Sequence, residues 1–246
     1  DRLSMANGLI NMFTNVSIIV GSLAAGPLSD MFRPKVIPGA PAAEPIRWAP
    51  GMAILAVSVI GVVAFIVLSA ALLVLAAWQL NPLCLKLSPV ALAVVLGYSY
   101  MKRVSAAAHL VLGLGLAIAP VGAWLAVTGT FAPVPLWLAA AVMFWVAGFD
   151  TIYGCQDAEF DRRAGLHSLA SRFGVKRALL LSQVFHVLAV GFMAGAFRRA
   201  APLSSFALLG VLIMAGLLAW EQSLVRGGDL RRIDRAFFEI NSWIGM

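Results

Sequence analysis

Along this chain apolar residues run almost without interruption for about 20 positions at a time, and polar residues gather in short clusters between the runs. The runs predict helices over residues 1–27, 51–78, 83–100, 106–127, 134–153, 177–197 and 203–220, with an eighth that begins near Ala236 and stops at Met246 before it could cross a bilayer. About 20 helical residues suffice to span the hydrocarbon layer. Continuous rather than alternating apolar runs select helices over a closed barrel, since only those two forms satisfy the backbone in lipid. The expected fold is all-α: a polytopic membrane bundle of seven complete spans and a truncated eighth. Short breaks punctuate it, among them Asn81-Pro82 and Thr128-Gly129-Thr130. Gly113 and Gly115, with Ala108, Ala117 and Ala119, predict close helix packing.

Composition agrees with the pattern. The chain is 61% hydrophobic, where soluble domains lie near 45–50%. Cys84 and Cys155 sit in or beside different spans and form neither a disulfide framework nor a zinc pattern. Charge sets the expected orientation. Of 18 basic residues, 14 fall in alternate connections: Arg33, Lys35 and Arg47; Lys102 and Arg103; Arg162, Arg163, Arg172, Lys176 and Arg177; Arg226, Arg231, Arg232 and Arg235. The positive-inside bias places these in the cytoplasm, for a bacterial inner membrane. The net charge of +7 then reflects topology and attraction to anionic headgroups, with no case for nucleic acid.

One stretch carries the candidate chemistry. No acidic residue occurs between Glu44 and Asp150, and then Asp150, Asp157, Glu159 and Asp161 arrive together. If the fifth predicted helix continues, each residue turns it by about 100°, so Asp150, Asp157 and Asp161 form one stripe with Tyr153 beside it, and Glu159 points away. Carboxylates at a membrane rim need cationic partners. Magnesium is a natural one, because it is commonly held by one or two carboxylates plus phosphate oxygens. The stripe therefore points to a diphosphate-bearing lipid with its tail among the helices.

At these residues the chain resembles the UbiA family of membrane prenyltransferases. The spacing of Asp150, Tyr153, Asp157 and Asp161, continued by Gly165-Leu-His-Ser168-Leu-Ala-Ser171-Arg172-Phe173-Gly174, is similar to the family's second aspartate-rich motif. Tyr98-Ser-Tyr-Met-Lys102 is similar to its Tyr-x-x-x-Lys motif, and Asn81-Pro82 and Ala119-Pro120-Val-Gly122-Ala-Trp124 lie where the 4-hydroxybenzoate branch has similar residues. The likeness covers about residues 66–246. It implies Mg²⁺ held by Asp150, Asp157 and Asp161, a polyprenyl diphosphate bound by these acids and Lys102, and transfer of the prenyl group to an aromatic acid such as 4-hydroxybenzoate in ubiquinone synthesis, or a naphthoate-type acceptor in menaquinone synthesis. Tyr98 and Tyr153 would orient phosphate or stabilise an allylic cation, or else serve as interfacial tyrosines; Lys102 has the alternative of a topology anchor.

Residues 1–65 read differently. Asn7, Asn11 and Asn15 share a helix face, as packing contacts more readily than as a ligand site. Gly26-Pro-Leu-Ser-Asp30-Met-Phe-Arg33-Pro-Lys35 resembles the loop between early helices of major facilitator transporters, loosely the lysophospholipid branch. A transporter fragment or a noncatalytic fusion is the alternative reading. The first aspartate-rich motif of the prenyltransferases has no counterpart beyond Asp30 and Glu44, so metal and diphosphate would be held weakly, and an inactive chain, truncated at both ends, is one expected outcome. His109 and His186 read as packed histidines with no acid nearby in sequence, His167 as a solvated loop residue, and Arg231, Arg232 and Asp234 as a charged loop open to a lipid headgroup.

Overall fold

A computed structural model describes residues 49–200, 205–233 and 239–245. The first predicted helix, its asparagines, Asp30, Glu44 and Asp234 lie outside the described residues. Packing divides the chain between Leu75 and Ala76. In the first unit the described residues form most of one helix, α1 (Ala49–Leu80), whose last residues enter the second unit. The second unit continues with α2 (Pro82–Val104), α3 (Ala108–Thr128), α4 (Pro133–Gly154), the short α5 (Ala158–Arg163) and α6 (Leu169–Phe173), then α7 (Val175–Ala200), α8 (Ser205–Leu224) and a last turn α9 (Asn241–Ile244). Among the described residues six helices are long and apolar enough to cross a membrane. They correspond to the second through seventh predicted spans, and the chain is an integral membrane protein.

Local chemistry starts and stops these helices. The Asn81 side chain accepts hydrogen bonds from the Leu83 and Cys84 amides at 3.1 and 2.9 Å, and Pro82 occupies the first turn, where a missing N–H costs nothing. The Asn81 amide also donates to the Leu125 carbonyl at 2.7 Å, tying the start of α2 to the end of α3. Helix α3 stops at Gly129, whose φ of 66° is the left-handed conformation that glycine tolerates best.

Helix α4 is the centre of the second unit, packing most extensively on α3 and α7. Missing side chains let it approach both. A Cβ at Gly113 would lie 2.3 Å from the Met143 carbonyl oxygen, and one at Gly148 would lie 2.1 Å from the His186 ring. Gly115, predicted to share in this packing, has nothing within 4 Å of a Cβ position, because two residues rotate it about 200° from Gly113. Ala119 is likewise exposed. Gly113→Ala should therefore destabilise by about 1–3 kcal/mol, since the clash is with backbone. A lowered thermal midpoint in detergent, with Gly115→Ala unchanged, is the expected result.

At the end of the bundle where α2 finishes and α4 finishes, Ala106, Ile152, Cys155, Ala158, Leu169, Ala170, Ala178, Leu179, Val225 and Ile233 form one apolar cluster. This cluster anchors the two short helices, which have too few residues to be stable alone. The predicted continuation of α4 through Asp161 is not what forms. The amides of Cys155, Gln156, Asp157 and Ala158 each bond three residues back, to Ile152, Tyr153, Gly154 and Cys155. Such turns advance about 120° per residue in place of about 100°. Three of them rotate Asp157 by roughly 60° from the expected stripe, and α5 then restarts the α-helical pattern.

Candidate active site

The three aspartates divide between two cationic or polar partners. Asp157 occupies the N-cap position at the start of α5 and Asp161 lies one turn further on, with Asp161 N–H bonded to Asp157 O at 2.7 Å. Their carboxylates converge on Lys102 at the end of α2: Nζ lies 3.8 Å from Asp157 Oδ2 and 3.4 Å from Asp161 Oδ2. Asp161 is buried, with 2% of its side chain exposed, whereas Asp157 is 55% exposed and Lys102 34%. One carboxylate is thus fixed in the wall and the other faces outward. Two carboxylates share one ammonium, and the outward-facing Asp157 leaves their open side accessible to a further cation.

Asp150 faces the other way, toward α3. Its Oδ2 lies 2.6 Å from Nδ1 of His109, a ring that is 2% exposed at the very start of α3. With the Nδ1 proton donated to Asp150, the buried Nε2 is left with no hydrogen-bond partner among the described residues. Gly154 makes room for this ring, since a Cβ there would meet His109 Cε1 at 2.8 Å. Among the described residues no group of three or more His, Cys, Asp or Glu side chains gathers as a metal cluster.

The segment after the acids is held in place by its own polar groups. Leu166 N–H donates to Asp161 O at 2.7 Å and His167 N–H to Lys102 O at 2.5 Å, so the loop ties the ends of α2 and α5 together. His167 thus takes part through its backbone. Ser168 and Ser171 then cap α6 reciprocally: the Ser171 amide donates to Ser168 Oγ at 3.1 Å, and the Ser168 amide to Ser171 Oγ at 2.8 Å. Ser168 is fully buried. Ser168→Ala should cost about 1 kcal/mol, visible as a lowered thermal midpoint.

Tyr98 is one turn before Lys102 on α2 and so shares its helix face; it is 39% exposed. Tyr153 is half-buried in the last turn of α4. Glu159 turns away from the acids and pairs with Arg163 at the surface. Asp229 and Arg231 form a separate exposed pair, in which the hydrogen bonds from Arg231 hold the Asp229 carboxyl down at about 2.

Deeper among the helices is a polar network that sequence reading did not assemble. Gln222 of α8 donates to Ser182 Oγ at 2.8 Å and lies 3.0 Å from Nδ1 of His186, both on α7. Ser182 in turn donates to the Gly148 carbonyl at 2.8 Å. Asn241 of α9 donates to the fully buried Glu221 at 3.1 Å and accepts from the Trp145 indole at 2.8 Å. These bonds join α4, α7, α8 and α9 at separations of 20 to 96 residues.

A profile of the UbiA prenyltransferase family matches residues 53–243. The chain is 32% identical over 194 residues to a 4-hydroxybenzoate octaprenyltransferase of Vibrio parahaemolyticus, covering 76% of this chain and 64% of that protein. It is 36% identical over 169 residues to one of Alkalilimnicola ehrlichii, covering 68% and 56%. The chain thus spans about half to two thirds of the length of these curated relatives. A solved structure, the apo form of a UbiA homolog from Aeropyrum pernix K1, superposes with a TM-score of 0.63 at 29% identity, covering 92% of this chain and 84% of that one.

Proposed function

The chain belongs to the UbiA prenyltransferase family, and from that premise we propose that it transfers a polyprenyl group from a polyprenyl diphosphate to an aromatic acid of the 4-hydroxybenzoate kind, in a Mg²⁺-dependent reaction. The observation that carries the reading is the convergence of Asp157 and Asp161 on Lys102 at the end of an apolar bundle. Relatives named as 4-hydroxybenzoate octaprenyltransferases support the acceptor class.

The donor set suits the metal. Asp157 and Asp161 offer hard oxygen atoms one helical turn apart, and an ammonium already stands within 4.0 Å of both. Mg²⁺ asks for no more than one or two carboxylates when phosphate oxygens and water complete its shell. Asp157 and Asp161 would hold it; Asp150, turned toward His109 and not gathered with them, would offer a separate carboxylate at the end of α4. When bound, the metal supplies charge neutralisation for the departing diphosphate.

The chain's own residues then divide the work. Lys102 stabilises negative charge as it develops on the diphosphate, a contribution that grows in a water-poor setting. His109 fixes the orientation of Asp150 through the 2.6 Å contact, as outer groups commonly do for metal-binding carboxylates. Tyr98, sharing a face with Lys102, and Tyr153, beside Asp150, present rings to the allylic cation. The apolar helices exclude water while that cation lives. The allylic C–O bond breaks with its electron pair leaving on the diphosphate, the electron-rich ring carbon next to the phenolic hydroxyl attacks the cation to form the carbon–carbon bond, and the displaced ring proton passes to the released diphosphate. The positive-inside bias puts this end of the bundle in the cytoplasm.

The test is Mg²⁺-dependent prenylation of radiolabelled 4-hydroxybenzoate by membranes that carry the full-length protein. Labelled lipid product that disappears with Asp157→Asn and falls with Asp150→Asn supports the reading. Product formation unaffected by either substitution overturns it.

A further inference from the structure

We propose that the rim opposite the carboxylates holds the phosphate headgroup of an anionic phospholipid, bound by Arg198 and Arg199 beside Trp137. These residues line an open cavity of about 630 Å³, together with Gly191, Ala194 and Gly195. Helix α4 begins at this rim and α7 ends there, so Trp137 lies 13 residues, about 20 Å along the helix, from Asp150.

Among the described residues the charge at this rim is unbalanced. The sequence contains no acid between Glu44 and Asp150 or between Asp161 and Glu221, and the described turns at this end, at Asn81 and at Gly129, fall within those stretches. Arg198 and Arg199 are both exposed. Among the described residues Arg198 has no ion pair. Two adjacent arginines also run against the charge bias that otherwise gathers basic residues at the carboxylate end. An anion supplied from outside the chain resolves this, and at a membrane rim the phosphate of a neighbouring lipid headgroup is within reach of both arginines.

The site is built rather than incidental. A Cβ at Gly195 would lie 2.3 Å from the Trp137 ring, so glycine there lets the indole lie against α7. The Arg199 guanidinium then stacks on the indole at 3.7 Å from its centre and donates to the Gly195 carbonyl at 3.2 Å. This holds the guanidinium in place with donors to spare. Arg198, free of such contacts among the described residues, supplies the second cation.

The surface below fits an acyl chain. Val184, Val187, Gly191, Ala194 and Arg198 recur at three- and four-residue spacing and so share one face of α7. Val184 is 47% and Val187 72% exposed in a helix that crosses the membrane, which marks this face as lipid-facing. Gly191 and Ala194 leave a shallow channel between those valines and the arginines. A phosphate held at Arg198 and Arg199 places its chain along that channel, which free phosphate would leave empty.

The experiment is thermal unfolding of the full-length protein in neutral detergent, titrated with phosphatidylglycerol, with phosphatidylcholine of the same chains, or with inorganic phosphate. Phosphatidylglycerol should raise the midpoint at concentrations where the other two have no effect. The concentration needed should rise about fivefold in Arg198→Gln, the loss expected of one cation near the surface. Arg198 is exposed, so this variant keeps its fold, and its midpoint without lipid serves as the control. Equal responses to the two lipids, a matching response to inorganic phosphate, or an unchanged titration in Arg198→Gln would each overturn the proposal.

Discussion

Asp161→Asn should lower prenyl transfer by about 100-fold or more while the protein remains folded. The magnitude is that of removing one well-placed electrostatic group from a water-poor site. The direction follows from burial. Asp161 is almost wholly enclosed and its charge is directed at Lys102, so asparagine keeps the shape and a hydrogen bond to the ammonium but loses the negative charge that a second cation would need. Asp157 is more than half exposed, and its replacement should cost less stability for a comparable loss of turnover. Initial rates across a Mg²⁺ titration, with helical content by circular dichroism as the control, check this. If Asp161→Asn retains wild-type turnover at low Mg²⁺, the pair has no part in holding the donor.

His109→Ala should reduce activity by about 10- to 100-fold, the range for losing a partner that orients a metal-binding group. Nothing else on α3 is described as holding Asp150, and the 2.6 Å contact is the shortest link between α3 and the acids. The loss should show chiefly as a higher Mg²⁺ requirement, with partial recovery in His109→Gln, whose amide can still donate to the carboxylate. An equal loss in both variants without a change in Mg²⁺ dependence would mean that His109 only fills space beside Gly154.

The membrane helices were legible because their signal is local: a run of apolar residues has the same meaning wherever it sits. Asn81-Pro82 and Gly129 announced the turns for the same reason. The aspartate stripe was legible as chemistry but not as geometry. Sequence gives four acids close together, yet the tight turn at Cys155–Asp157 depends on tertiary contacts, namely His109 pressed against Gly154 and the apolar cluster under α5. His109 was passed over because no acid lies near it in sequence; Asp150 is 41 residues away. The usable signal was topological, since the start of α3 and the end of α4 fall at the same rim. The network around Glu221 had no such signal, as its members come from four helices and pair only after packing.

The central proposal is that Lys102, Asp157 and Asp161 form the diphosphate end of the site. Its most direct test is equilibrium binding of a short, soluble prenyl diphosphate to the purified full-length protein, with and without Mg²⁺, comparing wild type with Lys102→Met and the double variant Asp157→Asn/Asp161→Asn. The expected result is binding that requires Mg²⁺ in wild type, weakens in Lys102→Met, and loses its Mg²⁺ dependence in the double variant. Binding that remains equally tight and equally Mg²⁺-dependent in all three proteins would place the diphosphate elsewhere in the chain.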